Sequence, residues 1–115
     1  MNQEELYTTF VTEITDSAPS GWDSIELNFE YFRWKGNLFE KYQCFSFSRG
    51  NKLQFDPSLE ALDELIDIHK AMSNVMPEQW THCQFIIDSS GKYNFEFKYG
   101  MPPLTKEMLK YAGEI

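Results

Sequence analysis

The chain has 115 residues, 42% of them hydrophobic and 17% aromatic. That is enough apolar side chain for one packed core and too much for a disordered segment. Eighteen acidic residues against ten basic ones give a formal charge of -8, which opposes binding to nucleic acid and favours attraction to basic protein surfaces.

The N-terminus, Met1-Asn2-Gln3-Glu4-Glu5, lacks the basic start and apolar run of a secretion signal. No apolar stretch approaches the roughly 18 residues of a membrane span. The expectation is a cytosolic chain without membrane contact, forming a single domain over residues 1–115.

Leu6, Tyr7, Phe10, Val11 and Ile14 recur at helical spacing, with Asn2 as N-cap and Glu5 three residues on, as in a capping box. Ser17 to Gly21 ends this first helix. From Trp22 to Trp34 the odd positions Ile25, Leu27, Phe29 and Tyr31 are apolar, and the even positions Glu26, Asn28 and Glu30 are polar. Such alternation marks a strand with one wet face. Lys35-Gly36-Asn37 makes a hairpin turn into a second strand, Leu38 to Arg49, in which Phe45 and Phe47 share one face and Tyr42 and Cys44 the other. Lys52 to Phe55 adds a short third strand.

Asp56-Pro57 starts the second helix, with Asp56 as cap and Pro57 in the first turn. Leu59, Leu62, Leu65, Ile66, His69, Met72 and Met76 form its buried face, while Glu60, Asp63, Glu64, Asp67 and Lys70 line the opposite side. Trp80 to Asp88 and Tyr93 to Tyr99 form a hairpin about Ser89-Ser90-Gly91-Lys92, and Thr105 to Ala112 is a short terminal helix. The order α-β-β-(β)-α-β-β-α describes an α+β domain. It has an antiparallel sheet of four to five strands and helices packed on one face.

The search for chemistry finds little. His69 falls toward the apolar stripe of its helix and reads as a core or boundary residue. His82 and Cys83 point to opposite faces of one strand, and no metal-ligand spacing such as CxxC or HExxH occurs. No nucleophile elbow, P-loop or dinucleotide fingerprint is present, so neither metal nor cofactor is implied. Cys44 and Cys83 both lie in strands. A disulfide would need those strands to be neighbours, and two reduced, buried thiols are expected.

The carboxylate pairs Glu60/Glu64 and Asp63/Asp67 read either as a solvated helix face or as an acidic patch for a cationic partner. Trp34, beside Phe32 on the face of Glu26 and Glu30, is either an aromatic anchor ringed by acids or is covered by another element. The candidate partner-binding residues are therefore Glu26, Glu30, Trp34, Glu60, Asp63, Glu64, Asp67 and Glu96. An enzymatic alternative would place Glu30, Glu96 or His82 in a pocket.

The opening Leu6-Tyr7…Phe10-Val11…Glu13-Ile14…Ala18-Pro19…Trp22 resembles the YezG family of bacterial immunity proteins. So does Trp80-Thr81…Phe85-Ile86-Ile87-Asp88…Gly91-Lys92-Tyr93-Asn94-Phe95-Glu96-Phe97. The W-T-x-x-x-F strand, the D-x-x-G-K turn and the alternating aromatic strand carry most of the likeness, whereas the middle hairpin and the tail after Gly100 depart from the pattern.

The resemblance implies a cytosolic antidote to a secreted polymorphic toxin, often a nuclease, including toxins of contact-dependent growth inhibition. Such a protein binds its cognate toxin domain in a 1:1 complex and covers the active site or the substrate path. It implies no catalytic residues. The runner-up reading is an acidic adaptor or secretion chaperone for another protein.

Overall fold

The computed structural model describes residues 2–115. Its elements are α1 (Gln3–Ser17), β1 (Ser24–Trp34), β2 (Asn37–Ser48), β3 (Asn51–Gln54), α2 (Leu59–Ser73), β4 (His82–Asp88), β5 (Tyr93–Lys98) and α3 (Pro103–Tyr111). The strands form one antiparallel sheet in the order β3-β2-β1-β4-β5. Fold class and element order are those read from the sequence.

Alternation places the core. Ile25, Leu27 and Phe29 on β1 stand beside Cys44 on β2 and beside Ile87, Phe85 and Cys83 on β4, all on one face. Leu6, Phe10 and Ile14 of α1 and Ala61, Leu65, Ile68 and Met72 of α2 cover that face, and all are buried. Asn2 caps α1 as expected, its Oδ1 accepting from the Glu5 N–H at 2.8 Å.

The start of α2 differs from the expectation. Ser58 is the cap, its Oγ accepting from the Ala61 N–H at 3.1 Å. Asp56 instead accepts from the Tyr42 hydroxyl at 3.1 Å. The later start turns Leu59 outward, where it is 75% exposed, and the helix ends before Met76, which is also exposed. Ala61 and Ile68 take the buried positions in their place.

Two tight hairpin turns set the register. In each, a cation and a glycine carry positive φ, 49° and 79° at Lys35-Gly36 and 52° and 79° at Arg49-Gly50. Such turns need both central residues left-handed, and glycine tolerates this without the cost of a Cβ.

The two long helices lie together over the core. α3 does not join them. It lies on the opposite face, held by Glu30, whose side chain points away from the core. Thr105 and Leu109 are the buried residues of α3 itself, outside the main core cluster.

Candidate functional site

Across the face opposite the core, cross-strand pairing lines up polar side chains in rows. Gln43, Asn28, Gln84 and Glu96 form one row, and Lys41, Glu30, His82 and Lys98 form the next. Where α3 begins, these rows enclose a recess of about 240 Å³, lined by Asn28, Glu30, His82, Gln84, Lys98 and Leu104 among others.

Glu30 is only 3% exposed. Its Oε2 accepts from the Leu104 N–H at 2.6 Å, and its Oε1 accepts from the Thr105 N–H and hydroxyl, each at 2.7 Å. Pro102 precedes α3 and has no capping side chain. Glu30 therefore acts as the helix cap from a distant strand, with its negative charge at the positive end of the helix.

His82 is oriented by a relay. The Thr81 hydroxyl lies 2.6 Å from the Gly100 carbonyl and 2.9 Å from His82 Nδ1. A carbonyl only accepts, so the single hydroxyl proton goes to Gly100 and Nδ1–H is the donor to Thr81. Nε2 is then an acceptor in the neutral ring. Burial lowers the His82 pKa, Glu30 opposes that shift and Lys98 adds to it.

As an acid-base pair the recess is incomplete, since both Glu30 oxygens are committed to α3. The Cys83 thiol points to the core face, and burial pushes its pKa up to about 12. Among the described residues no three His, Cys, Asp or Glu side chains converge as a metal-binding group. Nor is any helix long and apolar enough to cross a membrane.

The remaining candidates fall in two separate places. On the sheet, Glu26 accepts from the Gln84 amide at 2.9 Å, and exposed Glu96 stands 4.0 Å from Lys98 Nζ. Trp34 is half-buried, with Lys35 Nζ 4.4 Å from its ring centroid. On α2, Glu60, Asp63 and Asp67 are exposed, and Glu64 turns toward α1. Burial first, then the negative charges of Glu13, Asp67, Glu60 and Asp63, raise the Glu64 pKa. Its Oε2 is buried without a hydrogen-bond partner. No ion pair compensates these five carboxylates among the described residues.

Glu13 belongs to this group and was absent from the sequence-derived set. Its place beside Ile14 on a different helix becomes informative only when α1 and α2 pack together. The sheet group and the helix group lie on opposite sides of the sheet, so the candidates do not form one site.

A family description, Immunity protein YezG-like, matches residues 3–108 and thus nearly the whole chain. The chain belongs to the YezG-like immunity protein family. The match includes the middle hairpin and residues 103–108 of α3, the parts that depart from the motifs of the resemblance. No curated protein matches the chain.

The most distinctive motifs of this YezG-like chain have structural tasks. In W-T, the buried Trp80 packs against Phe29, Phe97 and His69, and its carbonyl accepts the His69 Nε2–H at 2.8 Å. Thr81 ties the start of β4 to Gly100, beyond β5. In D-x-x-G-K, Asp88 Oδ1 accepts from the backbone N–H groups of Ser90 and Lys92 and from the Ser90 hydroxyl, which closes the turn. The Ser90 hydroxyl and these amides hold the Asp88 pKa below its ordinary value.

Proposed function

We propose that this YezG-like chain is a cytosolic, non-enzymatic immunity protein. It binds one cognate toxin domain in a 1:1 complex and blocks its active site or substrate path. The family match over residues 3–108 carries this reading. The toxin is a nuclease, because a nuclease presents a basic face to its polyanionic substrate, and a protein of charge -8 competes for that face.

The carboxylates of α1 and α2 support an acidic docking surface. Glu13, Asp67, Glu60 and Asp63 bear on Glu64 with like charge, no ion pair offsets them among the described residues, and a basic partner relieves that repulsion. Glu26 and Glu96 form a second, smaller contact region, and Trp34, at the far end of β1, a separate one. Glu30, enclosed under α3, acts by holding that helix in place.

Co-expression tests the reading. The toxin domain encoded beside this gene should arrest growth alone, and the two proteins together should restore growth and co-purify as one 1:1 species. Growth arrest that persists, with no co-purifying complex, would refute it.

A further inference from the structure

The sheet edge formed by β2 is only partly covered. β3 pairs with Phe45 to Ser48 and no further, which leaves the segment from Asn37 to Gln43 without a strand on its outer side. Two hydrogen bonds fix which groups face outward. The Phe47 carbonyl accepts from Asp23 N–H at 2.7 Å on the β1 side, and the Cys44 carbonyl accepts from Phe55 N–H at 3.0 Å on the outer side. Successive residues alternate direction. Leu38, Glu40 and Tyr42 therefore direct their N–H and C=O groups outward, six hydrogen-bonding groups with no strand opposite them.

This free edge is the floor of a groove. α3 overhangs it, and the space of about 540 Å³ between them is lined by Glu40 to Gln43 of β2 and by Leu104, Glu107, Met108 and Tyr111 of α3. Tyr111 is 96% exposed, and Leu38 and Tyr42 at the edge are also exposed. The part of the edge that lines the groove, Glu40 to Gln43, runs about 10 Å at 3.3 Å per residue.

We infer that this groove receives a β-strand of the toxin domain, which adds to the sheet at β2. The inference rests on the toxin-binding reading above. The strand's side chains alternate: apolar ones pack on Leu104, Met108 and Tyr111, and a Lys or Arg on the other face meets Glu40, beside the Tyr42–Asp56 hydrogen bond. On the α3 side Glu107 and Lys41 offset each other in charge, which leaves Glu40 as the groove's carboxylate on the other face. The opposite edge, β5, is a poorer receptor. Its exposed Glu96 and Lys98 already pair with each other.

The test uses the full chain with the neighbouring toxin domain carrying an inactivating active-site substitution. In the complex, the Leu38, Glu40 and Tyr42 amides should exchange at least about tenfold more slowly than in the free chain. Glu40→Pro removes one outward N–H and obstructs the edge without breaking a bond to β1, as edge strands tolerate. It should weaken binding about 100-fold or more, whereas Glu40→Gln, which keeps the N–H, should cost less than about tenfold.

Circular dichroism verifies that the proline variant folds, and exchange on the unmodified complex decides the matter if it does not. A complex with unchanged exchange at these three amides, or with new protection at Phe95 and Phe97 on β5 instead, overturns the inference and leaves the toxin-binding reading standing. Absence of any complex overturns both.

Discussion

Glu30 shows how a single residue changes meaning once its surroundings are known. It is polar, on the wet face of a strand and beside other acids, and it reads as a docking group. In the fold it is buried and accepts three hydrogen bonds from the first turn of α3. Removing a charged acceptor from buried donors costs about 2–4 kcal/mol, combining a lost cap with stranded N–H groups. Glu30→Ala should lower the unfolding free energy by that amount in denaturant titrations and expose the α3 amides to exchange. Asp63→Ala, on an exposed helix face, should stay within about 0.5 kcal/mol of the parent. Equal stabilities for the two variants would remove Glu30 from its capping role.

The histidines give a second expectation at this scale. Burial lowers the pKa of His69, which donates from Nε2 to the Trp80 carbonyl and packs between Tyr31 and Trp80, and it also lowers that of His82. In the unfolded chain both titrate near the ordinary value of about 6.5. As the pH falls through that value the unfolded state takes up protons first, so stability present above about pH 6.5 is lost below it. The chain should therefore be less stable at pH 5.5 than at pH 7.5, and His69→Gln with His82→Gln should reduce that difference. An unchanged pH profile in the double variant would mean that other groups control it.

At the scale of elements, strand order decides what the cysteines can do. Cys44 on β2 and Cys83 on β4 both face the core, but β1 lies between them. Two interstrand spacings of about 4.8 Å put their backbones well beyond the reach of a disulfide. Burial pushes both thiols up to about 12. Neither should react with iodoacetamide at pH 8 in the folded protein, and both should react on unfolding, with no oxidised form after air exposure. Rapid alkylation of the native protein would contradict this placement.

The elements themselves were largely legible in sequence because local chemistry fixes them. The alternation of β1, the stripe of α1 and the Asp88–Gly91 turn each follow from a handful of neighbouring residues. The layer occupied by α3 was not legible. Its position depends on one carboxylate seventy-odd residues upstream, and no periodicity within the helix reports that bond. The cap of α2 was misread for a related reason: Asp56 and Ser58 are both good caps, and Asp56 is taken by Tyr42 of β2. The candidate site was legible as a list of acids. Its division between two sides of the sheet, and the membership of Glu13, required the packing.

For the whole molecule the governing quantity is the charge of -8, set against few internal ion pairs. Such a field acts over a Debye length, about 8 Å at physiological salt, so it steers a basic partner before contact and affects the association rate more than the lifetime of the complex. Reversing Glu60, Asp63 and Asp67 together should slow association with the toxin domain about tenfold at low salt. That effect should shrink toward nothing near 1 M salt, where the Debye length is about 3 Å. Reversing Glu96, which is already paired with Lys98 and lies on the other side of the sheet, should do less. Stopped-flow association across a salt series separates two cases. A rate penalty that disappears with salt identifies the α2 face as the steering surface. A penalty that persists in the dissociation rate at high salt would make those carboxylates direct contacts. Association indifferent to both reversals at low salt would show that the acidity does not serve docking, and the free edge of β2 would then carry recognition without electrostatic help.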